Sequence, residues 1–161
     1  MEQNAQIADL EAVYQARYRH FLRIATLITR DEGTAHDAVQ EGFAATIRSL
    51  ASYRGEGPLE AWVWRAVVNA AKKQQRHSSA AAPEGDKPAS RQNGDQTEAR
   101  LIRTWVAALP ERQRLIVYLR YYADLDYRQI ATVLDIAVGT VSATLNAAHQ
   151  TLRKTIEEVP Q

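Results

Sequence analysis

The chain has 161 residues, of which 45% are hydrophobic and 24% charged, a formal net charge of +1 and no cysteine. That length suits one domain or two small ones, and the apolar content can give each a core. The cysteine count excludes disulfides, thiolate catalysis and sulfur-ligated metal; the near-neutral balance gives no argument for nucleic-acid binding from overall charge; and no apolar run or basic-then-apolar leader suggests membrane insertion or export, so a cytoplasmic protein is expected.

Leu10, Val13, Tyr14, Phe21, Ala25 and Ile28 recur at threes and fours and predict a helix over Leu10–Ile28. A second helix is predicted over Thr34–Leu50, with Asp31 and Glu32 near its positive N-terminal end. At about 100° per residue, Asp37, Gln40, Glu41 and Ala44 share one face of it, while Val39, Phe43, Ile47 and Leu50 point to the core. The polar, acidic stripe suits a basic or donor-rich partner; an ordinary solvated helix face is the alternative.

Tyr53-Arg54-Gly55-Glu56-Gly57-Pro58 breaks this pattern with two glycines and a proline, and a third helix follows from Pro58 to Arg76. Residues 77–96 hold no Leu, Ile, Val or aromatic residue and are rich in Ser, Ala, Pro, Gly, Asn, Asp and Gln, the composition of a flexible linker. Helical periodicity returns at Thr97 with Leu101, Ile102, Trp105 and Leu109, and again after Pro110 with Leu115, Ile116, Leu119 and Tyr122. The expected fold is therefore all-α: a helical domain over 1–76, a linker over 77–96 and a helical domain over 97–161.

Near the C-terminal end, Asp126 with Gln129 three residues on forms a capping-box pattern, and Ile130, Ala131, Val133 and Leu134 give that short helix an inner side. Asp135-Ile136-Ala137 supplies a turn in which Asp tolerates a left-handed backbone, and Val138-Gly139-Thr140-Val141 opens the next helix. There Val141, Leu145, Ala148 and Leu152 face inward, leaving Gly139, Ala143, Asn146, Ala147 and Gln150 outside. This is helix-turn-helix patterning, whose second helix enters the major groove; a packing hairpin is the plainer alternative.

These residues together resemble the extracytoplasmic-function class of sigma-70 family sigma factors, from Leu10 to Lys154. The Leu109-Pro110-Glu111-Arg112-Gln113-Arg114, Leu125-Asp126-Tyr127-Arg128-Gln129-Ile130-Ala131 and Val138-Gly139-Thr140-Val141 segments look like region 4, and Asp37-Ala38-Val39-Gln40-Glu41-Gly42-Phe43 looks like the docking helix of region 2. The resemblance implies core RNA polymerase and promoter DNA as partners, an anti-sigma factor as regulator, and no cofactor or metal. It assigns Asp37, Gln40, Glu41, Phe43 and Ala44 to polymerase docking. To the minus-10 element it assigns Tyr53, Arg54, Gly55, Glu56, Trp62, Arg65, Asn69, Lys72, Lys73 and Arg76, and to the minus-35 element Arg128, Thr140, Ser142, Ala143, Thr144, Asn146 and Ala147. A glycine loop beside aromatic groups suits capture of an unpaired base, and the cations suit phosphate; Trp62, beside Leu59 and Ala66, reads more readily as core than as a base platform.

One departure stands out. Where the family places basic residues after Val-Gly-Thr-Val, this chain has Ser142, Thr144, Ala147 and His149, and no Asp, Glu, Lys or Arg occurs from Val138 to Leu152. Ala137 also stands where a Ser cap is common. Weak minus-35 binding by the second domain is therefore expected. A helix-turn-helix regulator is the rival reading and leaves the first domain's stripe and glycine loop unexplained; enzymatic activity is not expected, because His20, His36, His77 and His149 are scattered and lack catalytic company.

Overall fold

The computed structural model of the chain describes residues 2–53, 58–79 and 97–158, with side chains described over 7–53, 58–76 and 100–158. Over these residues the chain is helical without strands, in seven α-helices. The first bundle holds α1 (Glu2–Thr29), α2 (Glu32–Arg48) and α3 (Leu59–Ser79); the second holds α4 (Thr97–Ala107), α5 (Glu111–Val117), α6 (Tyr127–Leu134) and α7 (Val138–Glu158). α1 starts well before the predicted Leu10. α3 runs through residues 77–79, which had been expected to open the linker, and the rest of that stretch, 80–96, lies outside the described residues, as do Arg54, Gly55 and Glu56.

α2 begins where it does because the Asp31 carboxylate accepts a hydrogen bond from the Thr34 amide at 2.8 Å, occupying one of the helix's free N–H groups. Just before it Arg30 takes a left-handed φ of 62°, which turns the chain back from α1. The three helices close over Phe21, Ile24, Val39, Val63, Trp64, Val67 and Val68, all fully buried. The Phe21 ring centre lies 4.2 Å from that of Trp64 and 5.3 Å from Phe43, the latter edge-on.

α2 and α3 make the most extensive contact, and one residue sets its closeness. A Cβ on Gly42 would lie 2.7 Å from the Val67 Cα, so the two backbones meet there with no room for a side chain. Beside the contact, the buried Thr46 hydroxyl donates to the Gly42 carbonyl at 2.8 Å, satisfying itself within its own helix.

Ile47 departs from expectation, with 55% of its surface exposed. The core edge of α2 follows Ala35, Ala38, Val39, Gly42, Phe43 and Thr46. Steps of four drift by about 40° around the helix, so the series Val39, Phe43, Ile47 leaves the core by its third member. Leu101 and Ile102 are likewise exposed, because α4 meets the rest of the molecule only near its end, where Val106 and Leu109 are buried.

In the second bundle the helix begun after Pro110 does not run straight. Beyond Val117 the ladder widens to a π-turn over Tyr118–Tyr122, with the Ala123 amide bonded to the Tyr118 carbonyl at 3.0 Å, and Asp124 then takes a φ of 59°. The bundle closes on Leu115, Ile116, Leu119, Leu125, Ile130, Val133, Val141, Leu145 and Ala148.

The bundles also touch one another: α6 lies along α3, and the N-terminal helix meets α5 and the π-turn. The His20 ring is 4.7 Å from the Tyr122 ring, the Arg23 guanidinium lies 5.4 Å over that same ring, and Gln75 Nε2 donates to Glu111 Oε1 at 3.0 Å. The buried side chains of both bundles form one continuous cluster.

Two outcomes follow from this packing. Gly42→Ala forces apart the α2–α3 crossing and should lower unfolding free energy by about 1–3 kcal/mol, read from urea midpoints. Burial holds the His20 imidazole below its ordinary pKa, with Arg17 adding to the shift and Glu60 opposing it. The neutral ring is thus favoured in the folded chain, so its contribution is present above the unfolded value of about 6.5 and is lost as pH falls below it. Urea midpoints between pH 7.5 and 5.5 should decline less steeply in His20→Asn than in the parent; identical slopes would remove His20 as the cause.

Candidate nucleic-acid interface

On α2, Asp37, Gln40 and Glu41 are exposed and Ala44 is half-buried, so the four predicted positions form one outward ridge. Gln40 Nε2 donates to the Tyr14 hydroxyl at 2.9 Å, and Glu41 pairs with Arg48 at 2.9 Å with both partners more than half exposed. An exposed pair of this kind adds little stability, which leaves the Glu41 carboxylate available to a competing cation. Phe43 is not on the ridge. Its ring is buried edge-on against Tyr14, 4.9 Å away, and supports the ridge from beneath. Ile47, misread from periodicity as core, instead adds an apolar group at the ridge's flank.

On α3, Trp62, Arg65, Asn69, Lys73 and Arg76 follow one another at steps of three and four and line one face. Arg65, Asn69, Lys73 and Arg76 are exposed. Trp64 is the tryptophan of the core, with none of its surface exposed. Trp62 is half-buried, with its ring 5.1 Å from that of Tyr53 and tilted by 34°, so the expected core role holds only for one side of it. Between α2 and this stripe lies a cavity of about 370 Å³ whose lining includes Glu41, Ser49, Trp62, Arg65, Asn69 and Lys73. Its wall combines an aromatic face, amide and hydroxyl groups and two cations, a chemistry that suits a base and its phosphate.

Lys72 differs from its neighbours. It is half-buried at the edge facing the second bundle, and its pKa is lowered, first by burial and then by Arg112 and Arg76, with Glu111 opposing. Among the described cations of the predicted phosphate-binding set it is half-buried, with Glu111 and Arg112 of the second bundle near it.

In the second bundle α6 and α7 meet at 105°, the geometry of a helix-turn-helix. The capping box is complete: the Gln129 amide donates to Asp126 Oδ1 and Gln129 Oε1 accepts from the Asp126 amide, each at 2.8 Å. Asp135 takes the left-handed conformation expected of it, φ 55° and ψ 52°. α7 starts from the Ala137 carbonyl, which accepts from the Thr140 and Val141 amides. Gly139, Thr140, Ala143, Asn146 and Gln150 are exposed, Ser142, Thr144 and Ala147 half-buried, and Arg128 stands exposed near the start of α6. The Thr144 hydroxyl donates to the Thr140 carbonyl at 2.7 Å, so that donor is already engaged by its own helix. From Val138 to Leu152 the outer surface of the helix therefore consists of small, uncharged side chains and amides.

Three histidines lie in aromatic pairs, His20 with Tyr122, His36 with Tyr18, and His149 with Tyr121, whose hydroxyl lies 2.8 Å from His149 Nε2, while the side chain of His77 lies outside the described residues. Among the described residues no cluster of three or more His, Asp or Glu could hold a metal ion. No single helix among them is long and apolar enough to cross a membrane.

Two family models match the chain along most of its length: Sigma-70 region 2 over residues 13–80 and Sigma-70 region 4 over residues 99–152. The chain belongs to the extracytoplasmic-function class of the sigma-70 family. It is 28% identical over 162 residues to the ECF RNA polymerase sigma-E factor of Escherichia coli K12 and to that of Salmonella typhimurium, covering 88% of this chain and 83% of each relative. It is also 28% identical over 163 residues to the RNA polymerase sigma-H factor of Pseudomonas aeruginosa. Its fold is shared with the sigma factor RpoE of Bartonella quintana, solved with the anti-sigma factor NepR, at a TM-score of 0.73, 18% identity and coverage of 94% of this chain and 99% of the other. CnrH, solved with the cytosolic domain of CnrY, has a TM-score of 0.66 at 17% identity and covers 94% and 89%.

The protein is thus an alternative sigma factor that directs transcription initiation, and the helix-turn-helix regulator reading is not favoured because region 2 accompanies region 4. Sigma-70 factors are initiation factors rather than enzymes. If the α3 stripe of this sigma factor meets promoter phosphates, Arg65→Ala and Lys73→Ala should each reduce the slope of log affinity against log salt by close to one unit, measured on promoter DNA with the holoenzyme. An unchanged slope in both variants would remove the stripe from the interface.

Proposed function

We propose that the two ridged surfaces of the first bundle do most of the recognition in this sigma factor. The α2 ridge of Asp37, Gln40, Glu41 and Ala44, flanked by Ile47, docks on core RNA polymerase, and the α3 stripe with its adjoining cavity receives the melted minus-10 strand. The observation that carries this reading is the alignment of Trp62, Arg65, Asn69, Lys73 and Arg76 along one face of α3, beside a cavity of base-accepting size and chemistry. Trp62 and Tyr53 offer a stacking surface, Asn69 offers an amide that both donates and accepts, and the cations hold phosphate.

The minus-35 contribution is smaller. α7 presents Thr140, Ser142, Ala143, Asn146 and Ala147 with no charge between Val138 and Leu152, and Arg128 of α6 supplies the nearest predicted phosphate contact. Tethering through polymerase raises the local concentration of such a weak reader at the promoter, so it need not bind strongly by itself. A cytoplasmic setting, an anti-sigma partner and the absence of any catalytic role accompany this assignment.

The experiment is a core-polymerase association measurement on the full chain. Gln40→Ala combined with Glu41→Ala removes one amide and one carboxylate from the ridge while leaving the buried face of α2 intact. Association should weaken about tenfold or more, the loss of one or two charge-assisted contacts, while helicity and urea midpoint stay near those of the parent. Undiminished association would defeat the docking assignment.

A further inference from the structure

Which base edges a helix can read in the major groove is set by the groups it carries outward. Guanine offers the O6 and N7 acceptors, which suit the donors of Arg or Lys. Adenine offers the N7 acceptor and the N6 amino donor, which suit the paired donor and acceptor of an Asn or Gln amide. Thymine offers its C5 methyl group, which suits an apolar surface. α7 carries no Lys or Arg from Val138 to Leu152, so the guanine-reading groups are missing and the other two kinds remain.

At about 100° per residue Gly139, Ala143, Asn146, Ala147 and Gln150 fall on one face of α7. Ala143, Asn146 and Gln150 are exposed and Ala147 is half-buried. The Thr144 hydroxyl is engaged by the Thr140 carbonyl, whereas the Asn146 amide has no partner among the described residues. Ala143 precedes Asn146 by one turn and Ala147 adjoins it, so methyl groups flank a free amide. At the head of the helix Gly139 adds no side chain, and a Cβ there would meet nothing within 4 Å, which lets this end press close to a surface. His149 lies one residue, about 100°, round from Gln150 and keeps its Nε2 at 2.8 Å from the Tyr121 hydroxyl.

Cations bracket this face and do not occupy it. Arg128 of α6 lines a cavity together with Val138 at the head of α7. Arg153 is exposed about two turns beyond Asn146 on the same side. A straight helix in a curved groove meets base edges along its middle and phosphates towards its ends, and phosphate contacts set position without reading sequence.

We infer that α7 is an adenine–thymine reader. The Asn146 amide pairs with N6 and N7 of one adenine, the Ala143 and Ala147 methyls lie against the C5 methyls of neighbouring thymines, and Arg128 and Arg153 hold the flanking phosphates. The inference rests on the assignment of α7 to the minus-35 element and names the base pairs that element presents. Amide and methyl contacts release no counterions, so the base preference persists as salt is raised even while overall affinity falls.

The test uses the full chain with core polymerase. Transcription from a promoter pool randomised across both elements should enrich A·T pairs in the upstream block, with one adenine fixed. In the enriched promoter, replacing that adenine by guanine should cut initiation about fivefold or more. Its 7-deaza analogue, which lacks the N7 acceptor but pairs normally, should also cut initiation. Uracil in place of a neighbouring thymine should cost about twofold to fourfold for the lost methyl. Asn146→Ala, at an exposed position, should keep the parent's helicity and urea midpoint, lose the response to both adenine changes and keep the response to uracil. Enrichment of G·C pairs upstream, or an adenine preference that Asn146→Ala retains, overturns the inference alone. A pool that enriches only the downstream block overturns it together with the assignment of α7 to the minus-35 element, and leaves the α3 reading standing.

Discussion

The contact between Gly42 and Val67 is where two helix backbones meet without a side chain between them. Because nothing soft separates them, the rotation of α2 about its own axis is fixed relative to α3. The surfaces proposed for polymerase and promoter lie on the outer sides of these two helices, with the cavity lined by residues of both between them. A glycine inside a helix costs roughly 1 kcal/mol of helix propensity relative to alanine. Here that cost secures a rigid angle between the two surfaces to which the proposed function gives different partners.

Charge is distributed unevenly along the molecule, although its total is close to zero. α3 carries four cations, Arg65, Lys72, Lys73 and Arg76, whereas the recognition helix of the second bundle is neutral from Val138 to Leu152. A neutral helix releases no counterions when it binds, so whatever it contributes depends little on salt. In the proposed function the chain therefore separates two tasks that basic recognition helices usually combine: capture of DNA by charge falls to the first bundle, and discrimination by shape and small polar groups falls to the second.

Much of this was legible in the residues, for reasons that can be named. Asp126 with Gln129, and Asp135 after the short helix, are local chemistry: a cap and a left-handed turn depend on neighbours in sequence, and both formed as patterned. The outward set Asp37, Gln40 and Glu41 was also visible, because polar residues on one side of an apolar helix can only face out. Ile47 was misplaced, whereas Phe43 lies in the core as its spacing indicated, beneath the ridge to which the resemblance had assigned it. A four-residue series drifts around a helix, and no count along one strand of sequence reveals where a neighbouring helix ends. Leu101 and Ile102 repeat the lesson, since periodicity marks an apolar face but not whether another element covers it. The packing of α6 on α3 lay beyond the sequence altogether, because its contacts are between residues far apart in the chain and of ordinary composition. Gly42 was the overlooked signal, since a glycine in the middle of a well-capped helix marks a close neighbour.

The π-turn over Tyr118–Tyr122 amounts to one residue more than an α-helix needs between Pro110 and the start of the helix-turn-helix. That surplus residue acts as a phase shifter. Trimming the segment by a single position would heal the ladder into regular α-helix, but it would also swing everything downstream by about 100° about the helix axis. Asp126 and the whole of α6 and α7 would then face a different quadrant of the molecule, with each helix intact and the assembly out of register. In this chain the aim of the DNA reader is stored as an integer, the number of residues in one turn.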